Sequence, residues 1–230
     1  MTVKILGISG SPIEGGNADA FLKEALKAAE AVGDVETEFV SLAGMDIKDC
    51  IHVNWCLKNQ TDTQFCHQED DMRLLYPKVV EADGLFLCTP VYIGRMTGPM
   101  ANFLDRLRVL VHGNMHGGKL RGKVGAGFAV IWYRHGGMET ALLSLLQAFM
   151  IFEMLPIGAG MPSLFGGAGV TSQHGTGKFD PSDYNEVLKD AYGLRTARHT
   201  AQRAAELCHI LKAGRATWQP LGRDAAAALH

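Results

Sequence analysis

At 230 residues, 47% of them hydrophobic, the chain is long enough to bury one α/β core and needs no second domain. Its 22 basic and 24 acidic side chains leave a net charge of -2 with both signs spread along the sequence, which excludes the basic footprint of a nucleic-acid binder. No apolar run reaches the roughly 20 residues of a membrane span, no signal peptide precedes the first strand, and five cysteines are an odd set for a secreted disulfide framework, so a cytoplasmic protein off the membrane is expected.

Val3, Ile5, Leu6 and Ile8 form a short, nearly continuous apolar run, as in a parallel strand covered on both faces. Ala18, Phe21, Leu22, Ala25, Ala29 and Val32 then recur at helical spacing, with Asn17 as the expected cap. Between them lies Gly7-Ile8-Ser9-Gly10-Ser11-Pro12-Ile13-Glu14-Gly15-Gly16-Asn17, a small-residue turn whose free backbone N–H groups and helix N-terminus suit an anion. The last glycine lacks the following Lys and Ser or Thr of a nucleoside-triphosphate loop, and the spacing is not G-x-G-x-x-G. What remains suits a single terminal phosphate held by neutral donors, Ser9, Ser11 and Asn17; the competing reading is an ordinary strand-to-helix turn.

Val35 to Val40 alternates and predicts an edge strand exposed on one face. From Ala43 to Asp71 no period is sustained, and a loop that long in a compact domain is usually functional. It holds Cys50, Cys56 and Cys66, candidate ligands for an iron–sulfur cluster or zinc, with a fourth ligand to come from His52, His67, Asp49, solvent or another subunit. The competing reading makes the loop a lid over a bound ring, with Trp55 and Phe65 excluding water.

A short helix is predicted from Asp70 to Val80 and a buried strand from Gly84 to Thr89. The strand runs into Thr89-Pro90-Val91-Tyr92-Ile93-Gly94, a loop expected at the same sheet edge as the first, where Pro90 stiffens the backbone, Gly94 admits a flat ring and Tyr92 is a candidate to stack on it. One helix is expected through Met100, Phe103, Leu104, Leu107 and Val111, with Arg106 off its apolar face. His112 and His116 sit among glycines in a loop. A strand from Lys123 to Trp132 ends at a third loop, Trp132 to Gly137, in which Arg134 is a candidate donor to a ring oxygen or phosphate. Met138 to Met154 is apolar nearly all round, which predicts burial on more than one side and a subunit interface. A fifth strand near 155–160, a glycine-rich loop over 162–177 and a last helix carrying Cys208 in its packing face complete the domain at about residue 212; residues 213–230 show no clear pattern.

The order of these parts, with Gly7-Ile8-Ser9-Gly10-Ser11-Pro12, Gly16-Asn17, Thr89-Pro90-Val91-Tyr92 with Gly94, and Asp70-Asp71-Met72 after the cysteines, resembles the iron–sulfur flavoprotein branch of the NADPH-dependent FMN reductase family, from Lys4 to about Lys212. The resemblance implies an α/β, flavodoxin-like, doubly wound five-stranded parallel sheet in the order 2-1-3-4-5, with the cysteine loop (43–72) as an insertion. It implies FMN, with Ser9, Ser11, Pro12, Gly16, Asn17 and Ala18 around the phosphate. Thr89, Pro90, Val91, Tyr92, Ile93 and Gly94 would line the isoalloxazine, and Trp132, Tyr133, Arg134, Gly136 and Gly137 would cover it from the other side. It further implies an NAD(P)H oxidoreductase passing electrons to a quinone-like or other small acceptor or a redox protein; the apolar helix from Met138 to Met154 predicts a homodimer or homotetramer. The alternatives are an electron carrier without turnover and a flavin-free binding protein. The chain departs from the family's C-x2-C-x2-C pattern at Val53, has a longer gap before its last cysteine, and carries Ile13 where many relatives have a basic residue and Ala18 where many have Thr.

Overall fold

A computed structural model describes residues 1–178 and 180–217. Its centre is a parallel sheet in which β2 (Val35–Ser41), β1 (Val3–Ser9), β3 (Gly84–Pro90), β4 (Val124–Ile131) and β5 (Leu155–Ile157) stand side by side, the expected 2-1-3-4-5 order. A sixth strand, β6 (Gly167–Val170), also pairs with β4: β5 meets Val124 to Ala126, and β6 meets Phe128 to Ile131. The two short strands therefore share one lateral position, interrupted by residues 158–166. The predicted fifth strand covers only the first half, and the second lies inside the stretch read as glycine-rich loop. Gly167-Ala168-Gly169-Val170 carries almost no side-chain signal, yet its place is set by packing against Phe128, Phe21 and the helix at Ala197.

Alternation along the central strands builds a core on each face. Val3 and Ile5 of β1 with Phe86 and Cys88 of β3 face α1 (Asn17–Glu30) and α6 (Ala191–Thr217). Leu6, Ile8, Leu85 and Leu87 face α2 (Met72–Glu81), α3 (Gly98–Arg106), α4 (Val109–His112) and α5 (Met138–Ile151). At the edge, β2 keeps Glu36 and Glu38 in solvent, as its alternation predicts. Helix α6 runs to Thr217, past the boundary expected at residue 212, and residues 218–230 of the expected tail lie outside the described residues.

Three local expectations change. Gly16, not Asn17, caps α1; the Asn17 side chain accepts a hydrogen bond from the Val187 N–H at 2.8 Å. The single helix expected over 100–111 is two, α3 and α4, because hydrogen bonds tighten at the junction, Arg108 N–H to Asp105 O and Leu110 N–H to Leu107 O. Arg106, placed off the apolar face, is 1% exposed. It holds the equally buried Asp70 carboxylate with both terminal nitrogens and donates to Lys48 O at 2.9 Å.

That pair fastens the cysteine loop to α3. Asp70 also accepts the N–H groups of Lys48 (3.1 Å) and Met72 (3.2 Å). Buried Gln60 does the same further along, donating to Phe65 O and Val109 O and accepting from the N–H groups of Met115 and His116. Phe65 stacks between Tyr76 and His116, with centroids 5.1 and 4.0 Å away. Trp55 packs against the same core. The loop is thus part of the fold, and within this chain it supplies none of the described residues that line the cleft below, contrary to the lid reading.

Candidate functional site

Strand order reverses between β1 and β3, and the loops leaving their carboxyl ends open a cleft there, as in other open α/β sheets. The cleft holds about 610 Å³ and is lined by Ser11, Ile13, Gly16, Asn17, Ala18, Pro90, Val91, Tyr92, Ile93, Val130, Trp132, Thr171 and Tyr184. That volume suits a small molecule of cofactor size. One end is the first turn of α1, whose N–H groups have no partners inside the helix. The other is flat and apolar.

The ring end is built by a tight turn. Tyr92 and Arg95 exchange backbone hydrogen bonds of 2.9 and 3.2 Å across Ile93 and Gly94, both at positive φ (48° and 73°), the type I′ geometry. A β-branched residue there is strained, and Ile93 is 99% exposed, so no packing within the chain repays the strain. Beneath it, Thr89 accepts the Thr97 N–H at 3.1 Å, and the Thr97 hydroxyl donates to Gly10 O at 2.6 Å, locking the β1 and β3 loops together.

Nine of the candidate residues thus meet in one cleft: Ser11, Gly16, Asn17, Ala18, Pro90, Val91, Tyr92, Ile93 and Trp132. The others stand elsewhere. Ser9 and Thr89 are fully buried under the loops, the Ser9 hydroxyl without a hydrogen-bond partner among the described residues, and Pro12 is exposed beside the cleft. Arg134 donates to His174 O at 3.2 Å and lines a separate polar cavity with Ser172, His174, Lys178 and Glu186, so it is not a donor to the cleft. Tyr133 packs beside Gly177. Gly136 and Gly137 do not line the cleft: a Cβ on Gly137 would stand 2.6 Å from the Gly94 backbone, so these glycines let two loops approach each other rather than a ring.

Val130, Thr171 and Tyr184 were not read from sequence as site residues, and Ile13 only as a departure. Thr171 follows β6, the strand hidden in the glycine-rich stretch. Tyr184 belongs to a segment without period that reaches the cleft because the Val187 N–H bonds Asn17.

An open parallel sheet with this cleft at its switch point and a neutral anion-type loop opening a helix defines a flavodoxin-like α/β protein. The profile of the NADPH-dependent FMN reductase family matches residues 3–166. Over 211 residues the chain is 36% identical to an iron–sulfur flavoprotein of Methanocaldococcus jannaschii, spanning 91% of this chain and 100% of that protein. It is 33% identical over 132 residues to an NAD(P)H dehydrogenase (quinone) of Afipia carboxidovorans, 53% of this chain and 64% of the other. Among solved structures, RosB with a bound 8-demethyl-8-formylriboflavin-5'-phosphate intermediate superimposes with a TM-score of 0.73 at 18% identity, over 99% of this chain and 85% of RosB, a likeness of fold. The chain belongs to the NADPH-dependent FMN reductase family.

The three loop cysteines do come together around one small cavity, with His52, Val53, His67, Arg106 and Arg108. Burial pushes the Cys56 thiol up, and Arg108, whose guanidinium reaches Cys56 Sγ at 3.8 Å, pulls it back. Yet Val53 offers no ligand, and among the described residues no group of three or more His, Cys, Asp or Glu side chains is disposed to hold a metal ion. The donor set does not fit a four-cysteine cluster. Val53→Cys would place a fourth thiol on the same cavity. Anaerobic reconstitution is expected to load that variant with iron and acid-labile sulfide while the parent stays substoichiometric; equal iron in both would show that three cysteines suffice. Cys88 and Cys208 are buried in the other core, the latter pushed up to about 12 by desolvation, and take no part.

Proposed function

We propose that the chain is an FMN-dependent oxidoreductase that takes electrons from NADPH or NADH and passes them to a quinone-like or other small acceptor. One observation carries this reading: among the described residues, no carboxylate, imidazole, thiol, ammonium or guanidinium lines the cleft. A site whose polar side chains are hydroxyls, an amide and an indole N–H, with no charged group lining the cleft beside them to activate one, suits chemistry carried by a cofactor, and bound FMN would supply the electron transfer. The residues here would position it. The first turn of α1 offers N–H groups to the phosphate. Pro90, Val91 and Val130 give a dry floor, and Tyr92 and Trp132, 44% and 48% exposed, stand as flat walls at an open mouth where donor and acceptor would reach the ring in turn. The relatives' names, one an iron–sulfur flavoprotein and one a quinone dehydrogenase, support a redox role.

Rapid anaerobic mixing of the FMN-loaded protein with NADPH, and separately NADH, is expected to bleach the flavin, with a quinone restoring its colour. A flavin reduced only by dithionite would make the protein an electron carrier instead.

We also infer a homo-oligomer. Helix α5 buries Ala141, Leu142, Leu145 and Phe149 against the sheet but leaves Leu143, Met150 and Ile151 exposed, Met150 and Ile151 about two-thirds so. Sedimentation is expected to give a dimer or larger, and Met150→Glu with Ile151→Glu to give a monomer; a monomeric parent would refute it.

A further inference from the structure

We infer that the cleft takes flavins with little regard to the 5'-phosphate, so that unphosphorylated riboflavin is a ligand nearly as good as FMN. The inference rests on the flavin reading above and concerns the end of the cleft at the start of α1.

That end is neutral and its side-chain groups are largely committed. Ser11, Ile13, Gly16, Asn17, Ala18 and Tyr184 line it, and none carries a positive charge. The Ser11 hydroxyl is turned back onto Ile13, accepting its N–H at 3.0 Å and standing 3.0 Å from its carbonyl oxygen. Asn17 Oδ1 accepts the Val187 N–H. The Gly15 N–H, a donor such a loop would otherwise offer an anion, donates instead to Asp19 Oδ2 at 2.8 Å.

Asp19 also changes the electrostatics. It lies in the first turn of α1, is 1% exposed, and its other hydrogen-bond neighbour is the Ser41 hydroxyl at 3.5 Å; among the described residues no Lys or Arg pairs with it. A carboxylate there offsets the positive end of the helix, and its repulsion of a second anion is weakly screened because it is buried. What remains for a phosphate among the described residues lining this end is the N–H groups of the first turn, the Asn17 amide nitrogen and the Tyr184 hydroxyl. Those donors serve a ribityl hydroxyl as well, whereas charge-assisted pairing, which would favour the phosphate, finds no cation among the described residues that line the cleft. The ring end, by contrast, offers Pro90, Val91, Tyr92, Val130 and Trp132 to any isoalloxazine. Affinity should therefore come mainly from the ring, which all flavins share, and free flavins would exchange at the site.

The apoprotein titrated with FMN and with riboflavin, followed by quenching of flavin fluorescence, is expected to bind the two within about tenfold of each other. Ile13→Arg and Asp19→Asn should each raise the ratio of FMN to riboflavin affinity by about fivefold or more, with the circular dichroism and thermal unfolding of each variant as the control for folding. An FMN preference well above tenfold in the parent overturns the inference, as does an Ile13→Arg variant with unchanged preference. A protein that binds neither flavin would instead bring down the flavin reading itself.

Discussion

Arg106→Met is expected to cost about 3–5 kcal/mol of stability, because it removes one partner of a buried ion pair and leaves the Asp70 carboxylate without a counter-charge. For a domain of this size that corresponds to a fall in Tm of about 6–20 °C. The two remaining bonds to Asp70, from the N–H groups of Lys48 and Met72, stabilise the carboxylate only in part. Since Lys48 O loses its donor as well, the loop between Asp46 and Asp71 should open first, visible as faster amide hydrogen exchange there. Flavin affinity below the transition is expected to survive, because the loop lines none of the cleft. Replacing both partners, Arg106→Met with Asp70→Leu, should recover part of the loss, since an apolar pair of similar bulk leaves no buried charge. Thermal unfolding of the single and double variants checks this; a loss below about 1 kcal/mol in the single variant would show that the pair does not fasten the loop.

Gly137→Ala is expected to damage the site more than the fold. Gly137 has φ +103°, a conformation costly for any side chain, and an added Cβ would meet Gly94 Cα and O at 2.6 Å. Neither contact is a flexible side-chain end, so one loop must move. The strain is worth about 1–3 kcal/mol, and the loop free to yield is the Tyr92–Arg95 turn, which carries Ile93 and Tyr92 into the cleft. Flavin affinity should weaken by about tenfold or more while the midpoint of unfolding falls only modestly. Gly98→Ala is the control, since its methyl meets open space and its φ is ordinary; it should change neither quantity. Full flavin affinity in Gly137→Ala would mean that the loop contact does not shape the ring end.

How far the sequence could be read depended on whether the signal was local. The strands at Val3–Ser9, Gly84–Pro90 and Val124–Ile131 announce themselves as apolar runs, since a parallel strand covered on both faces must be apolar throughout. The small-residue turn after β1 and the Thr89-Pro90-Val91-Tyr92 turn after β3 were legible for a related reason, because strand ends at a switch point converge whatever side chains they carry. Those facts place the cleft, while the sheet order and most of its nine predicted lining residues came from the family resemblance that the motifs carry.

What depended on distant contacts was not legible. Arg106 and Asp70 lie 36 residues apart, and each reads as an ordinary exposed charge until the fold buries both. The strand Gly167–Val170 has two glycines and no periodicity, and becomes a strand only because β4 offers it an edge. Arg134 and Gly137 stand in the expected loop, but hydrogen bonding to His174 and contact with Gly94 turn them to other tasks, while Tyr184 enters the cleft through the Asn17–Val187 bond. The sequence by itself determined the central strands, the layers and the chemistry of the cleft floor, because burial patterns are written residue by residue, and its motifs carried the resemblance from which the strand order followed. Which charges pair, which loop covers what, and which side chain faces the cleft were decided only by tertiary structure, because each depends on a partner that the chain brings close only when folded.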